Sequence, residues 1–326
     1  THYNIYVNDV PIFGAMGKRA TNKSNYQEKI ELNSGQNKIE ISCRNKKGIE
    51  SHRALTYASY DKKIKGNLYF IGFGVSRYKN HKLNLKYAHQ DVKDLARLFK
   101  KMKKKFKKIF VKTFLNENVT IQNIEKAKKF LSGSKPDDTF ILFIAGHGLH
   151  DNDKETTYYY LTHKTNLDDL KNTAANFELI ENLLQGVGAR KKLFLIDTCE
   201  SGEVDEEVQN NFYQKANQKG IKARTTRGLK RIKKGRSKSK KRKYLLKKDR
   251  FIYNDLFRRS GAIIFSSSRG GEFSYEKDQY KNGLFTEGII IALTKRNADK
   301  NRDKEISTDE LRSFVAQLVA RLSNRL

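Results

Sequence analysis

The 326-residue sequence is poor in cysteine and has no long hydrophobic run. Its two cysteines, Cys43 and Cys199, exclude a disulfide-stapled secreted fold, and a free thiol suits a reducing compartment, which predicts a cytoplasmic protein. No apolar stretch reaches the length of a membrane-spanning helix, so no membrane partner is expected. No hydrophobic leader opens the chain, but it starts with Thr inside a strand-like pattern, which predicts a piece of a longer protein.

Acidic residues are scarce beside basic ones. The 67 Lys and Arg against 36 Asp and Glu give a net charge of +31, which first suggests a nucleic-acid partner. Over half of the excess lies in residues 215–250, where eighteen basic residues face one acid, Asp249. A self-repelling, apolar-poor stretch does not repay its ordering entropy. Residues 214–250 are therefore predicted to be a disordered linker, and nucleic acid is not the expected partner.

The first 62 residues alternate apolar and polar positions in short runs that turn-forming residues separate. This pattern predicts half-buried antiparallel strands, which we interpret as a partial β-sandwich module over residues 1–62. Cys43 is expected to point into this module as a small hydrophobe.

From about residue 66 the pattern changes to strands that alternate with helices. Apolar runs predict buried strands at 68–75, 109–115, 139–146, 193–196 and 261–268. Helical spacing predicts helices between them, two of which begin at the capping residues Thr120 and Ser307. This alternation requires a parallel sheet with right-handed crossovers, so the fold class is α/β with a mostly parallel central sheet.

Two of the predicted strands lead to reactive side chains. The strand at 139–146 ends before His147, and the strand at 193–196 leads into Cys199. Open parallel sheets place their ligand crevice at the carboxyl ends of the strands, where a thiol and an imidazole make a nucleophile and its base. The alternative is a buried structural Cys and an unrelated loop His. The matching strand ends, each beside Gly, favour a catalytic site.

The His-Gly pair and the Asp-x-Cys-x-Ser-Gly run resemble the caspase and metacaspase class of cysteine peptidases. The separation of 199 − 147 = 52 residues agrees with the roughly fifty noted for caspases. The resemblance implies Cys199 as nucleophile and His147 as acid and base. It also implies that the backbone N–H groups of Gly148 and Cys199 stabilise the oxyanion.

The resemblance covers residues 66–326 and implies a three-layer caspase-like fold. Its large portion is expected at 66–213 and its small portion at 251–326, with the linker between them. Residues 271–276 and 283–286 are similar to the small-portion segment of bacterial caspase-like proteins. The phrases within 35–51 are similar to sandwich modules that precede such domains in some bacterial proteins.

Substrate choice also follows from the resemblance. Residues 85–92 are similar to the metacaspase segment whose Asp, here Asp91, lines the primary specificity pocket, and Asp197 matches the second pocket acid. Two carboxylates suit a buried cation, so cleavage after Arg or Lys is implied. Ser267 ends a strand that borders the cleft in that family, and its backbone is expected to pair with substrate. His89-Gln90 and Glu200 depart from the metacaspase pattern and leave the subfamily open.

The basic linker offers an Arg- or Lys-specific enzyme many bonds to cut in its own chain. Self-processing is therefore one hypothesis for residues 215–250, and an idle solvated loop or a nucleic-acid tether is the other. The upstream module and the suspected truncation suggest a regulatory domain or an activator protein as a further partner.

Four residues of the C-terminal region match the ligand positions of an EF-hand loop: Asp299, Asn301, Asp303 and Glu310. The sixth position of such a loop requires Gly and is Lys304 here. A polar turn leading into the helix that Ser307 caps is the alternative. No cofactor is required by this interpretation, and calcium is an optional one.

Two other interpretations remain open on the sequence. One is a related peptidase of different specificity, of the gingipain or separase kind. The other is a nucleic-acid-binding protein that uses residues 215–250 and carries a degenerate caspase-like fold, because a disordered basic run binds phosphates. The second interpretation explains neither His147 nor Cys199.

Overall fold

The computed structural model describes residues 1–21, 25–151, 157–200, 221–224, 258–267 and 274–323. For Cys199, Glu200 and Ala223 the description is limited to the backbone. Most of the basic segment 214–250 thus lies outside the described residues. No helix in the described ranges is long and apolar enough to cross a membrane.

The N-terminal region forms an antiparallel sheet of five strands. The strands are β1 (His2–Val7), β2 (Val10–Pro11), β3 (Lys18–Arg19), β4 (Gly35–Arg44) and β5 (Ala54–Tyr60). Their order is β2-β1-β4-β5, with β3 also pairing to β1. The predicted antiparallel strands are confirmed, and the described part of residues 1–62 contains this one sheet.

Cys43 is exposed, contrary to the expectation that it is buried. The apolar cluster on the N-terminal sheet consists of Ile5, Val7 and Ile39. It stops short of the end of β4, where Ile41 is already 44% exposed. Alternation along a strand identifies a face of the sheet but not how far along that face the packing extends.

The central sheet contains five parallel strands in the order β7-β6-β8-β11-β13. These are β6 (Leu68–Gly74), β7 (Ile109–Leu115), β8 (Thr139–His150), β11 (Lys191–Glu200) and β13 (Ala262–Ser266). Two short antiparallel strands, β9 (Tyr158–Tyr160) and β10 (Ala175–Asn176), extend the sheet from the far end of β8. The mixed α/β class with a mostly parallel sheet is confirmed.

Helices cover both faces of this sheet. They are α1 (Ala88–Lys100), α2 (Ile121–Ala127), α3 (Leu170–Thr173), α4 (Phe177–Asn182), α5 (Leu284–Lys295) and α6 (Thr308–Leu322). Alternate residues of β8 join two different apolar clusters, with Phe140 and Leu142 in one and Ile141 and Phe143 in the other. A strand buried on both faces reads as a continuous apolar run, which is why periodicity alone located it.

Two of the predicted helix caps are present. The side chain of Thr120 accepts the N–H of Asn123 at the start of α2. Ser307 and Glu310 form the expected capping box at the start of α6. Caps are local interactions within four residues, so the sequence alone identifies them.

A small third sheet lies beside the central one. Its antiparallel strands are β12 (Ile221–Ala223), β14 (Tyr275–Lys277) and β15 (Asn282–Gly283), in that order. Residues 221–224 thus differ from the expected disorder of the basic segment. The physical reason is Arg224, whose charge meets three carboxylates of the folded domain.

Candidate active site

The parallel register of β8 and β11 brings the two proposed catalytic residues side by side. Cys199 pairs with His147, and Asp197 pairs with Ala145 two positions earlier. Adjacent strands lie about 4.8 Å apart, so the two residues occupy neighbouring backbone positions at one edge of the sheet. Both strands continue past the expected turns, β8 to His150 and β11 to Glu200.

The His147 side chain is fully buried and held by one hydrogen bond. Its Nε2 lies 2.9 Å from the carbonyl oxygen of Leu83. Since a carbonyl only accepts, Nε2 carries the proton and Nδ1 keeps its lone pair. Nδ1 is buried and has no hydrogen-bond partner within the described ranges. A neutral imidazole with a free Nδ1 has the form of a general base.

The surroundings of His147 keep its imidazole neutral. Burial lowers the pKa of His147 to about 4, the hydrogen bond to Leu83 opposes this, and the charge of Arg224 adds to it. At neutral pH the ring is therefore available to accept a proton.

This lowered pKa predicts a measurable loss of stability in acid. Between about pH 6.5 and 4 the unfolded chain binds a proton at residue 147 that the folded chain does not. The free energy of unfolding should therefore fall as the pH drops through this window, by at most about 1.4 kcal/mol per pH unit from this residue. Urea unfolding at several pH values should show a shallower fall for His147→Gln than for the unsubstituted protein. Parallel curves would contradict the assigned burial of a neutral imidazole.

Three buried carboxylates surround the guanidinium group of Arg224. Nη2 contacts Asp91, Nη1 lies 2.9 Å from Oδ2 of Asp197, and Nε lies 3.0 Å from Oε1 of Glu276. Nη1 also donates to the carbonyl oxygen of Asp197 at 3.0 Å. Asp91, Asp197 and Arg224 have no solvent exposure, and Glu276 is 4% exposed. We call the site formed by Asp91, Asp197, Glu276 and Gly283 the acidic pocket.

Hydrogen bonds hold both predicted pocket acids in place. Asp91 Oδ1 accepts the N–H of Gly283 at 2.8 Å. Asp197 accepts the hydroxyl groups of Ser274 and Thr286, the latter at 3.3 Å. A Cβ atom on Gly283 would lie 2.6 Å from Oδ2 of Asp197 and 2.9 Å from the Arg224 guanidinium. Gly283 therefore leaves the space that the cation fills.

The acidic pocket and Arg224 are electrostatically matched. Burial opposes the charge of Arg224, but Asp197, Asp91 and Glu276 outweigh it and raise the pKa of Arg224 further above its ordinary value. Burial raises the pKa of Asp91, Asp197 adds to the rise, and Arg224 and Gly283 oppose it. Carboxylates packed this closely without water require a cation between them.

Two glycines on β6 allow helix α1 to deliver Asp91. A Cβ atom on Gly74 would lie 2.6 Å from the carbonyl oxygen of Ala88, and one on Gly72 would lie 2.6 Å from Val92. The first turn of α1 therefore packs directly on the strand, and Asp91 in that turn reaches the acidic pocket.

Arg224 enters the acidic pocket from an added strand. β12 pairs antiparallel with β14, and the Arg224 N–H donates to the carbonyl oxygen of Ser274 at 2.8 Å. Peptides that add a strand to a sheet edge are held in this way, with alternate side chains entering pockets. Residues 221–224 thus have the arrangement of a bound peptide.

Ser267 lies where β13 ends, close to β11. Its N–H donates to the carbonyl oxygen of Ile196 at 2.8 Å and is not available to a substrate. Its hydroxyl is buried and has no partner among the described residues. The segment that receives an added strand here is β14, rather than the expected residues 266–268.

Gly148 lies inside the sheet, between Glu200 of β11 and Tyr160 of β9. A Cβ atom at this position would lie 2.1 Å from the hydroxyl of Tyr158, so the packing requires Gly. Its role as an oxyanion donor stays a prediction.

The four residues matched to a calcium loop lie between α5 and α6: Asp299, Asn301, Asp303 and Glu310. Both oxygens of Glu310 accept backbone N–H groups, from Lys300 and Asn301 on one side and Ser307 on the other. Within the described ranges, no three His, Cys, Asp or Glu side chains come together in a group that could hold a metal ion. Calcium binding stays a prediction.

A family model described as the caspase domain of peptidases matches residues 71–325. The chain belongs to the caspase domain family. Its fold is that of this family, and membership supports a cysteine peptidase of the caspase or metacaspase kind that acts on protein substrates. Among solved structures, the chain is similar to the protein GSU0716 from Geobacter sulfurreducens. The two are 14% identical with a TM-score of 0.49, over 77% of this chain and 88% of that one. No curated protein matches the sequence.

Three groups of this caspase domain were not predicted from the sequence. Arg224 is one of the eighteen basic residues between 215 and 250, and nothing local distinguishes it. Glu276 lies in a segment that the family resemblance singled out without a role. The Leu83 carbonyl carries no sequence signal, because every residue has a carbonyl group.

Proposed function

We propose that the protein is a cysteine endopeptidase that cleaves after a basic residue, with Cys199 as nucleophile and His147 as general base and acid. The observation that carries the proposal is the complete burial of Arg224 between Asp91 and Asp197. These two acids belong to a caspase domain and lie on the same strand edge as residues 147 and 199.

In the proposed reaction, Nδ1 of His147 accepts the thiol proton of Cys199, and the sulfur attacks the carbonyl carbon of the basic residue. The N–H groups of Gly148 and Cys199 stabilise the oxyanion that forms. The imidazolium then protonates the leaving amine, the C–N bond breaks and a thioester remains. His147 next activates a water molecule, which releases the acid product and restores the thiol.

The same proposal includes self-processing of the basic segment. Arg224 occupies the acidic pocket as the residue before a scissile bond does, and residues 221–223 pair with β14 as a bound peptide does. The bond that would be cut joins residues 224 and 225. Until it is cut, Arg224 competes with other substrates for the acidic pocket.

The two rival interpretations make different demands on this geometry. A gingipain- or separase-like specificity needs another occupant for the acidic pocket. A nucleic-acid-binding protein with a degenerate fold needs the basic segment free for phosphates, whereas Arg224 is withdrawn into a site of opposite charge. The electrostatic match of Arg224 to the acidic pocket favours the peptidase.

Hydrolysis of fluorogenic peptides ending in Arg, Lys or Asp tests the proposal. The unsubstituted protein should cleave the basic peptides, Cys199→Ala should not, and Cys43→Ala should behave as unsubstituted because Cys43 is exposed and distant in the N-terminal sheet. Loss of the nucleophile typically costs a factor of about a million in kcat. The assay includes Arg224→Ala, in which the chain no longer fills the acidic pocket. Cleavage after Asp, or no cleavage by either form, would contradict the proposal.

A protein or peptide with a basic residue before the scissile bond is thus the proposed substrate. A regulatory domain or an activator protein is proposed as a further partner, because the caspase domain follows another folded module. Its test is whether added upstream sequence changes the rate of peptide hydrolysis.

A further inference from the structure

A third carboxylate, on Glu276, lines the acidic pocket beside the two predicted acids. We infer that Glu276 makes this pocket select Arg over Lys. This inference rests on the proposed peptidase function and narrows its substrate class from basic residues to arginine.

Each edge of the Arg224 guanidinium faces a different carboxylate. The two terminal nitrogens contact Asp91 and Asp197, whereas Glu276 lies 3.0 Å from Nε. Nε is the nitrogen nearest the aliphatic part of the side chain, so Glu276 reads a donor that only arginine possesses. Arginine presents these donors in one rigid plane, which matches a fixed set of acceptors.

A lysine in the same place leaves Glu276 without a cationic donor. Its ammonium group is a point charge at the end of the chain, within reach of Asp91 and Asp197. A methylene group then stands where arginine has Nε. Because Glu276 is 4% exposed, its carboxylate has almost no water to replace the missing donor.

The position of Glu276 is set independently of the bound cation. Its Oε1 accepts the N–H of Tyr87 at 3.0 Å and its Oε2 accepts the N–H of Lys86 at 3.2 Å, just before α1 begins. The partial positive charge at a helix N-terminus favours a carboxylate there. The Lys86 ammonium turns away and pairs with Asp278, so it does not neutralise Glu276 in place of the substrate.

The experiment compares kcat/KM for matched Arg and Lys peptides in Arg224→Ala and in Arg224→Ala combined with Glu276→Gln. The common background removes competition from the chain itself. The first protein should prefer Arg by about tenfold to a hundredfold, the range of a hydrogen bond to a charged group. Glu276→Gln should remove most of this preference by lowering Arg cleavage, with Lys cleavage within about threefold. Asp278→Asn, an exposed acid two residues along, is the matched control and should keep the preference.

The possible outcomes separate the inference from the proposed function. Equal cleavage of Arg and Lys peptides by the first protein would overturn the inference and leave the peptidase intact. An equal fall for both peptides in Glu276→Gln would do the same, because it would reveal a structural role through Lys86 and Tyr87. No cleavage of any peptide would count against the proposed function itself. Glu276→Asp, which keeps the charge and shortens the side chain, should retain part of the preference.

Discussion

Replacing Arg224 by Ala is expected to abolish cleavage between residues 224 and 225, because Ala offers no cation to Asp91 and Asp197. A site built around buried polar groups rejects a side chain that lacks their partner by a factor of about a hundred or more. Intact-mass measurement during incubation should show fragments 1–224 and 225–326 from the unsubstituted chain and not from the variant. The uncleaved variant should also hydrolyse short Arg peptides faster, because its acidic pocket is empty.

The matched control for this experiment is Lys222→Ala. Lys222 lies on the same strand two residues earlier and is exposed, so its loss leaves the acidic pocket filled. This variant should be cut after residue 224 as before. If Arg224→Ala were still cut there, or if it lost peptide hydrolysis together with stability, Arg224 would be a structural ion-pair residue rather than a bound substrate.

Replacing Asp197 by Asn should lower kcat/KM for Arg peptides by about a hundredfold to a thousandfold, the usual effect of removing one partner of a buried charge pair. Asn keeps the size of Asp and its hydrogen bond to Thr286 but withdraws the charge that lies 2.9 Å from Nη1. Steady-state kinetics with Asp278→Asn as the control give the measurement.

A neutral analogue separates loss of charge from loss of shape at Asp197. Citrulline has the outline of arginine without its charge, so Asp197→Asn should affect a citrulline peptide much less than an Arg peptide. Thermal unfolding of both variants checks the fold. A similar loss for the two peptides would mean that the substitution disturbs the neighbouring strand end rather than the recognition of charge.

The catalytic edge was predictable because it depends on local pattern and on one rule of sheets. Apolar runs located the strands that carry His147 and Cys199, and the carboxyl ends of parallel strands meet at one edge. The strands proved longer than predicted. Their polar ends, up to His150 and Glu200, remain paired in the sheet although their composition is typical of turns.

Cys43 and residues 221–224 are the points at which local pattern misled. Alternation placed Cys43 on the inner face of a strand but did not show that the packing ends before it. Charge density indicated disorder throughout the basic segment, yet Arg224 is buried because its three partners compensate its charge. The energy that orders this residue comes from contacts outside its own segment.

By itself, the sequence determined the α/β class, the helix caps and the neighbourhood of His147 and Cys199, since each depends on residues close together or on the alternation of elements. The tertiary structure decided which basic residue fills the acidic pocket and that Glu276 completes it. Asp91 and Arg224 are 133 residues apart in the chain, and Glu276 meets Arg224 across 52. Contacts of such separation leave no periodic trace, because they arise only when the strands and helices pack together.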